Sequence, residues 1–106
     1  MRRNTILIED DDCRRIDVLH HLARRGHCVI PCSSVSDAEE VVRDVHLYTM
    51  APHIVILAEP LLHEGGARFR IDLDERFRGV HWILLPRARD LLWLSDQLGQ
   101  VDGPDG

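Results

Sequence analysis

The stretch Pro52-His53-Ile54-Val55-Ile56-Leu57-Ala58-Glu59-Pro60 constrains this chain more than any other. It holds five apolar residues in a row, mostly β-branched, with proline on both sides. A short apolar run bounded by turn residues is the pattern of a strand buried on both faces of a parallel sheet. In open α/β sheets, function gathers just past the C-terminal ends of such strands. Here that end is Ala58-Glu59-Pro60, so the chemistry open to Ala58 and its neighbours becomes the first question.

The rest of the chain supplies the partners such a strand needs. Thr5-Ile6-Leu7-Ile8 reads as a first strand that runs into Glu9-Asp10-Asp11-Asp12. Four consecutive carboxylates repel one another and suit a strand end where a helix begins. Asp11 or Asp12 is the expected N-cap, at the positive end of the helix dipole. The first helix is expected over Cys13 to Arg25. Its inner stripe would be Ile16, Leu19, His20, Leu22 and Ala23, with Arg14, Arg15, Asp17, Arg24 and Arg25 outside. Gly26 fits the stop.

His27 to Cys32 reads as a second strand, with Pro31 placing it at a sheet edge. Ser36 and Glu39 match a capping box for a helix over Asp37 to Leu47, with Ala38, Val41, Val42 and Val45 inside. Leu61 to Gly66 reads as a loop. A third helix follows over Ala67 to Phe77, although Phe69, Ile71, Leu73 and Phe77 keep no single period. Val80 to Leu85 is a fourth strand, stopped by Pro86. A last helix is expected over Arg87 to Leu98. Strands alternating with helices imply an α/β fold, a three-layer α/β/α sandwich on a parallel sheet with right-handed crossovers. Residues 1–98 form the one expected domain, and 99–106 a disordered tail.

Composition excludes several function classes. The 106 residues suffice for one core, and no apolar run nears the ~20 residues of a membrane span. The net charge of −5 argues against nucleic acid as a partner. Met1 to Asn4 and the short run after them lack a cleavage site, so a cytoplasmic protein is expected. All thirteen basic residues are Arg, so no step here uses a lysine ammonium. Cys13, Cys28 and Cys32 make an odd set that suggests no disulfide framework, and Cys28 and Cys32 read as buried structural thiols. The seven scattered His give no metal spacing.

In their order and spacing these segments resemble the receiver domain of bacterial two-component response regulators. Ile6 to Asp11 is similar to that family's opening strand with its acidic pair. Arg15, Leu19, Leu22 and Gly26 to Val29 fit its first helix and second strand, and Ser34 to Val42, with Ala38, its second helix. Pro52 to Leu57 fits its third strand, Gly66 the glycine opening its third helix, and Val80 to Leu85 its fourth strand. The resemblance implies a flavodoxin-like fold and phosphoryl transfer to an Asp at the end of the third strand. A divalent metal would be held there by the acidic pair. The same element order also suits a generic flavodoxin-like domain unconnected with signalling.

Set against that pattern, parts of the site are missing. The acidic pocket would be Glu9, Asp10 and Asp11. The phosphoacceptor position is Ala58, a lost carboxylate, and Glu59, one residue on, is a poor substitute because alternate strand residues face opposite ways. The hydroxyl switch position is Pro86. The family's Lys and its fifth strand have no counterpart. Glu9 and Asp10 remain able to hold Mg²⁺ at most weakly, through waters, so no cofactor is expected. With about four strands, the fourth would be an open apolar edge, which invites pairing. Trp82, Leu91, Leu92, Trp93 and Leu94 are therefore the interface candidates, for a protein partner or a homodimer.

The leading expectation is a pseudo-receiver: not an enzyme, and acting by protein–protein contact without aspartyl phosphorylation. A small-ligand sensor using the acidic cleft is the first alternative. Arg14-Arg15-Ile16-Asp17 and Arg87-Ala88-Arg89-Asp90 share an Arg-x-x-Asp spacing found in some cyclic dinucleotide sites, where Arg pairs with phosphate. A receiver phosphorylated on another acid is the second alternative.

Overall fold

The computed structural model describes residues 3–44 and 51–102. The elements are β1 (Asn4–Ile8), α1 (Asp12–Arg24), β2 (Cys28–Cys32), α2 (Val35–Asp44), β3 (Ile54–Ala58), a 3₁₀ turn (Glu59–His63), α3 (Gly66–Arg76), β4 (His81–Leu85) and α4 (Leu91–Asp102). Among the described residues the strands form one parallel sheet in the order β2-β1-β3-β4. Every residue of β3 is buried, as its apolar run requires. β2, with the exposed Pro31, lies at one edge, as expected.

Side chains alternate between two packed layers. Ile6, Ile8, Val55 and Leu57 enter the layer closed by Val35, Ala38 and Val42 of α2 and by Phe69 and Leu73 of α3. Leu7, Ile54, Ile56, Ile83 and Leu85 enter the opposite layer, closed by Val18 and Leu22 of α1 and by Leu94 and Leu98 of α4. Two helices on each face complete the three-layer sandwich. Gly66 must be glycine where α3 begins: a Cβ there would lie 2.6 Å from the Leu61 carbonyl oxygen and 2.9 Å from Leu57 Cδ2. Gly26 has φ +86°, the left-handed stop expected after α1.

Several expected details change. The inner stripe of α1 runs through Arg14, Arg15, Val18, Leu19, His21 and Leu22, while His20 and Ala23 are exposed and Ile16 is 50% exposed. This face is turned inward by Val18 and Leu22, which pack on the sheet, and by Arg14, which meets Glu9; Asp11 is the expected cap, its Oδ1 accepting from the Arg14 N–H at 2.9 Å. α2 starts two residues early because Ser34, and not Ser36, caps it: Ser34 Oγ accepts from the Asp37 N–H at 3.1 Å. Val45 lies outside the described residues. A 3₁₀ turn over Glu59–His63 takes up the first half of the loop expected over Leu61 to Gly66.

α4 begins four residues later than expected. Pro86 to Arg89 instead make a turn, with the Arg89 N–H donating to the Pro86 carbonyl at 3.2 Å, and Asp90 Oδ1 caps the helix at the Trp93 N–H. The helix then continues to Asp102, so the boundary expected at 98 falls within it. Residues 103–106 lie outside the described residues.

The interface candidates divide. Leu94 is fully buried between α4 and the sheet, so it is a core residue and not an interface one. Leu91 and Trp93 pack partly buried against the same layer. Trp82 is held by α3: its Nε1 donates to Asp74 Oδ1 at 2.8 Å, its ring meets Phe69 edge-on at 6.1 Å, and the Arg70 guanidinium lies 5.5 Å from the ring centre. Leu92 alone of the five is strongly exposed, at 76%, and Leu84 of β4 joins it at 39%.

Candidate functional site

β1 and β3 pair with Ile8 opposite Leu57, so Glu9, just past β1, stands beside Ala58, the last residue of β3. The Glu9 N–H donates to the Cys32 carbonyl at 3.0 Å, which ties this end to β2 as well. Glu9 is only 3% exposed, and its carboxylate is held by the Asp11 N–H and by Arg14. Burial raises its pKa, and a carboxyl hydrogen bond with Asp10 raises it further; the Asp11 N–H and the Arg14 charge pull the other way.

The expected acidic pocket is thus three residues with three different duties. Glu9 is buried. Asp10 is exposed and pairs with Arg87, Nη2 to Oδ2 at 3.6 Å. Asp11 donates its N–H to Glu9 Oε2 at 3.4 Å, and its own carboxylate is engaged as the α1 cap.

Arg14, expected on the outer face, turns into this cleft. Its Nε lies 3.3 Å from Glu9 Oε1. Its Nη1 donates to the Arg87 carbonyl at 2.7 Å, and its Nη2 to the carbonyls of Pro86 at 2.5 Å and Arg89 at 2.8 Å. Arg15 donates to the Glu9 carbonyl at 2.9 Å and to Asp12 Oδ1 at 2.6 Å. One signal in the sequence pointed here: a run of four carboxylates needs counter-charge, and Arg14 and Arg15 are the nearest cations, one helical turn away.

Ala58 is 1% exposed and packs with Leu57 and Leu61 in the core under α2 and α3. Glu59 is exposed at the start of the 3₁₀ turn. Pro86 offers the cleft only its carbonyl, which Arg14 takes. The two Arg-x-x-Asp segments do meet, across a cleft of about 370 Å³ lined by Cys13, Arg14, Asp17, Leu85, Arg89 and Asp90. Cys32 is buried, and burial, then Asp37, pushes its thiol up to about 11. Cys28 is half-buried and Cys13 exposed, so only Cys32 of the two expected structural thiols is fully enclosed. Among the described residues no group of three His, Cys, Asp or Glu is placed to hold a metal ion. No helix among them is long and apolar enough to cross a membrane.

The sequence matches no family model and no curated protein. A solved structure does match. MaeR, a response regulator determined as an Asp-to-Ala mutant bound to sulfate, superposes with a TM-score of 0.62. The match covers 92% of this chain and 78% of that one at 23% identity. The fold is receiver-like. In this receiver-like fold, Glu9, Ala58 and Pro86 all stand at the C-terminal ends of the strands. That is the edge of the sheet where α/β folds place their chemistry.

Proposed function

We propose that this chain is a receiver-like signalling domain that acts through protein contact and is not switched by aspartyl phosphorylation. The observation that carries the reading is Ala58: a methyl group, buried in the core, stands beside the acidic strand end. A methyl group cannot accept a phosphoryl group. Nor does the cleft suit Mg²⁺. Glu9 and Asp10 already face the guanidinium groups of Arg14 and Arg87, Asp11 is spent on the helix cap, and Ala58 adds no oxygen. The domain is accordingly read as a non-enzyme without a cofactor. Incubation with a small-molecule phosphodonor and Mg²⁺, followed by intact mass, tests this. The expected result is an unmodified chain; one phosphate on a carboxylate would contradict it.

The contact surface in this reading is the open edge of β4 with Leu84 and the outward side of α4 at Leu92, facing a protein partner or a second copy. Support comes from exposure: β4 is an edge strand among the described residues, and a strand edge beside apolar side chains favours strand addition.

A further inference from the structure

We propose that the Arg14 guanidinium is an internal cation that latches the β4–α4 connection to the acidic end of β1, fixing α4 without any external cation. The inference rests on the reading of the cleft as unphosphorylated and adds how its state is set. Glu9 is a carboxylate withdrawn from water, and such a group needs a counter-charge at close range. Arg14 supplies it with one N–H and has four more to place. Three of these go to the carbonyls of Pro86, Arg87 and Arg89. Those oxygens converge because residues 86–89 form a turn, closed by the Arg89 N–H on the Pro86 carbonyl. Asp90, the next residue, caps α4, so the position of the turn sets where the helix starts.

The path is continuous: Glu9 orients Arg14, Arg14 gathers the turn, and the turn presents Asp90 to α4. Leu94 and Leu98 then seat the helix on the sheet. The Arg87 side chain reaches back over Asp10 and closes the same junction from the other side. A lysine could not replace Arg14. Its single ammonium is a point donor and cannot span a carboxylate and three carbonyls.

Amide hydrogen exchange tests the latch on Arg14→Gln and Arg14→Lys. The amides of Arg89, Trp93 and Leu94, each hydrogen-bonded in the turn or the first turn of α4, should exchange about tenfold faster in both variants. Those of Ile56 and Leu57 in β3 should keep their protection. Adding Mg²⁺ should leave the wild type unchanged and shift the Glu9 resonances in Arg14→Gln, where that carboxylate loses its partner. Unchanged exchange at the turn in Arg14→Gln, or full protection in Arg14→Lys, would overturn the latch. Should Arg14→Gln fail to fold, the lysine variant carries the test, since it keeps the charge and loses only the fork. A phosphate adduct on the wild type would instead overturn the proposed function and leave the exchange result intact.

Discussion

At the scale of single residues, neighbours of the same type take different duties according to what they face. Glu9, Asp10 and Asp11 are consecutive acids, yet one is buried against Arg14, one is exposed beside Arg87 and one caps a helix. The cysteines divide in the same way. Cys32 is enclosed beneath α2 with its thiol pushed up to about 11, whereas Cys13 is exposed in the first turn of α1. The thiolate is the reactive form. At pH 8 a thiol-alkylating reagent should therefore label Cys13 faster than Cys32 by about two orders of magnitude. Peptide mass spectrometry over a time course measures both sites, and equal rates would contradict the enclosed position of Cys32. The shared parity of Cys28 and Cys32 on one strand suggested that both are structural thiols, and only Cys32 is enclosed. Sequence pattern did not place Arg14, because a helical wheel assigns charged residues outward and has no knowledge of the buried carboxylate that turns one of them in.

Elements were more legible than residues. Each strand lies within two residues of the apolar run that predicted it, β3 most plainly because proline stands on both sides of its run. Helix starts were less legible. α2 and α4 begin where Ser34 and Asp90 cap them, and several Ser and Asp residues near each start compete for that place. Leu94 moves from the expected interface into the core because its side of α4, with Leu98, packs on the sheet. The exchange has consequences that differ in kind. Leu94→Ala should cost about 2–5 kcal/mol of stability, as core truncations do. Substituting Leu84 and Leu92 by Arg should leave stability within about 0.5 kcal/mol, as surface changes do. Light scattering from low to high micromolar concentration should show the wild type self-associating and the double variant monomeric. A wild type that stays monomeric throughout would remove the second copy as the occupant of β4 and α4.

At the scale of the whole molecule, the alternation of strands and helices fixed the layer architecture, and local turn chemistry placed most of the chain within it. What the sequence could not show is how distant segments meet. Residues 14 and 86–89 are far apart along the chain and share one cleft only because the parallel sheet brings all strand ends to the same side. The same geometry that gives a phosphorylated domain its active site here gathers a carboxylate, a guanidinium and a turn into a closed junction. The conformation of this cleft should be indifferent to phosphoryl chemistry. The most direct measurement is an NMR comparison of the backbone amides with and without Mg²⁺ and beryllium fluoride, a phosphoryl mimic that binds a receptive carboxylate. The amides of residues 8–12, 58 and 86–98 should keep their positions; a concerted shift of the turn and α4 on adding the mimic would contradict a cleft closed to phosphoryl groups.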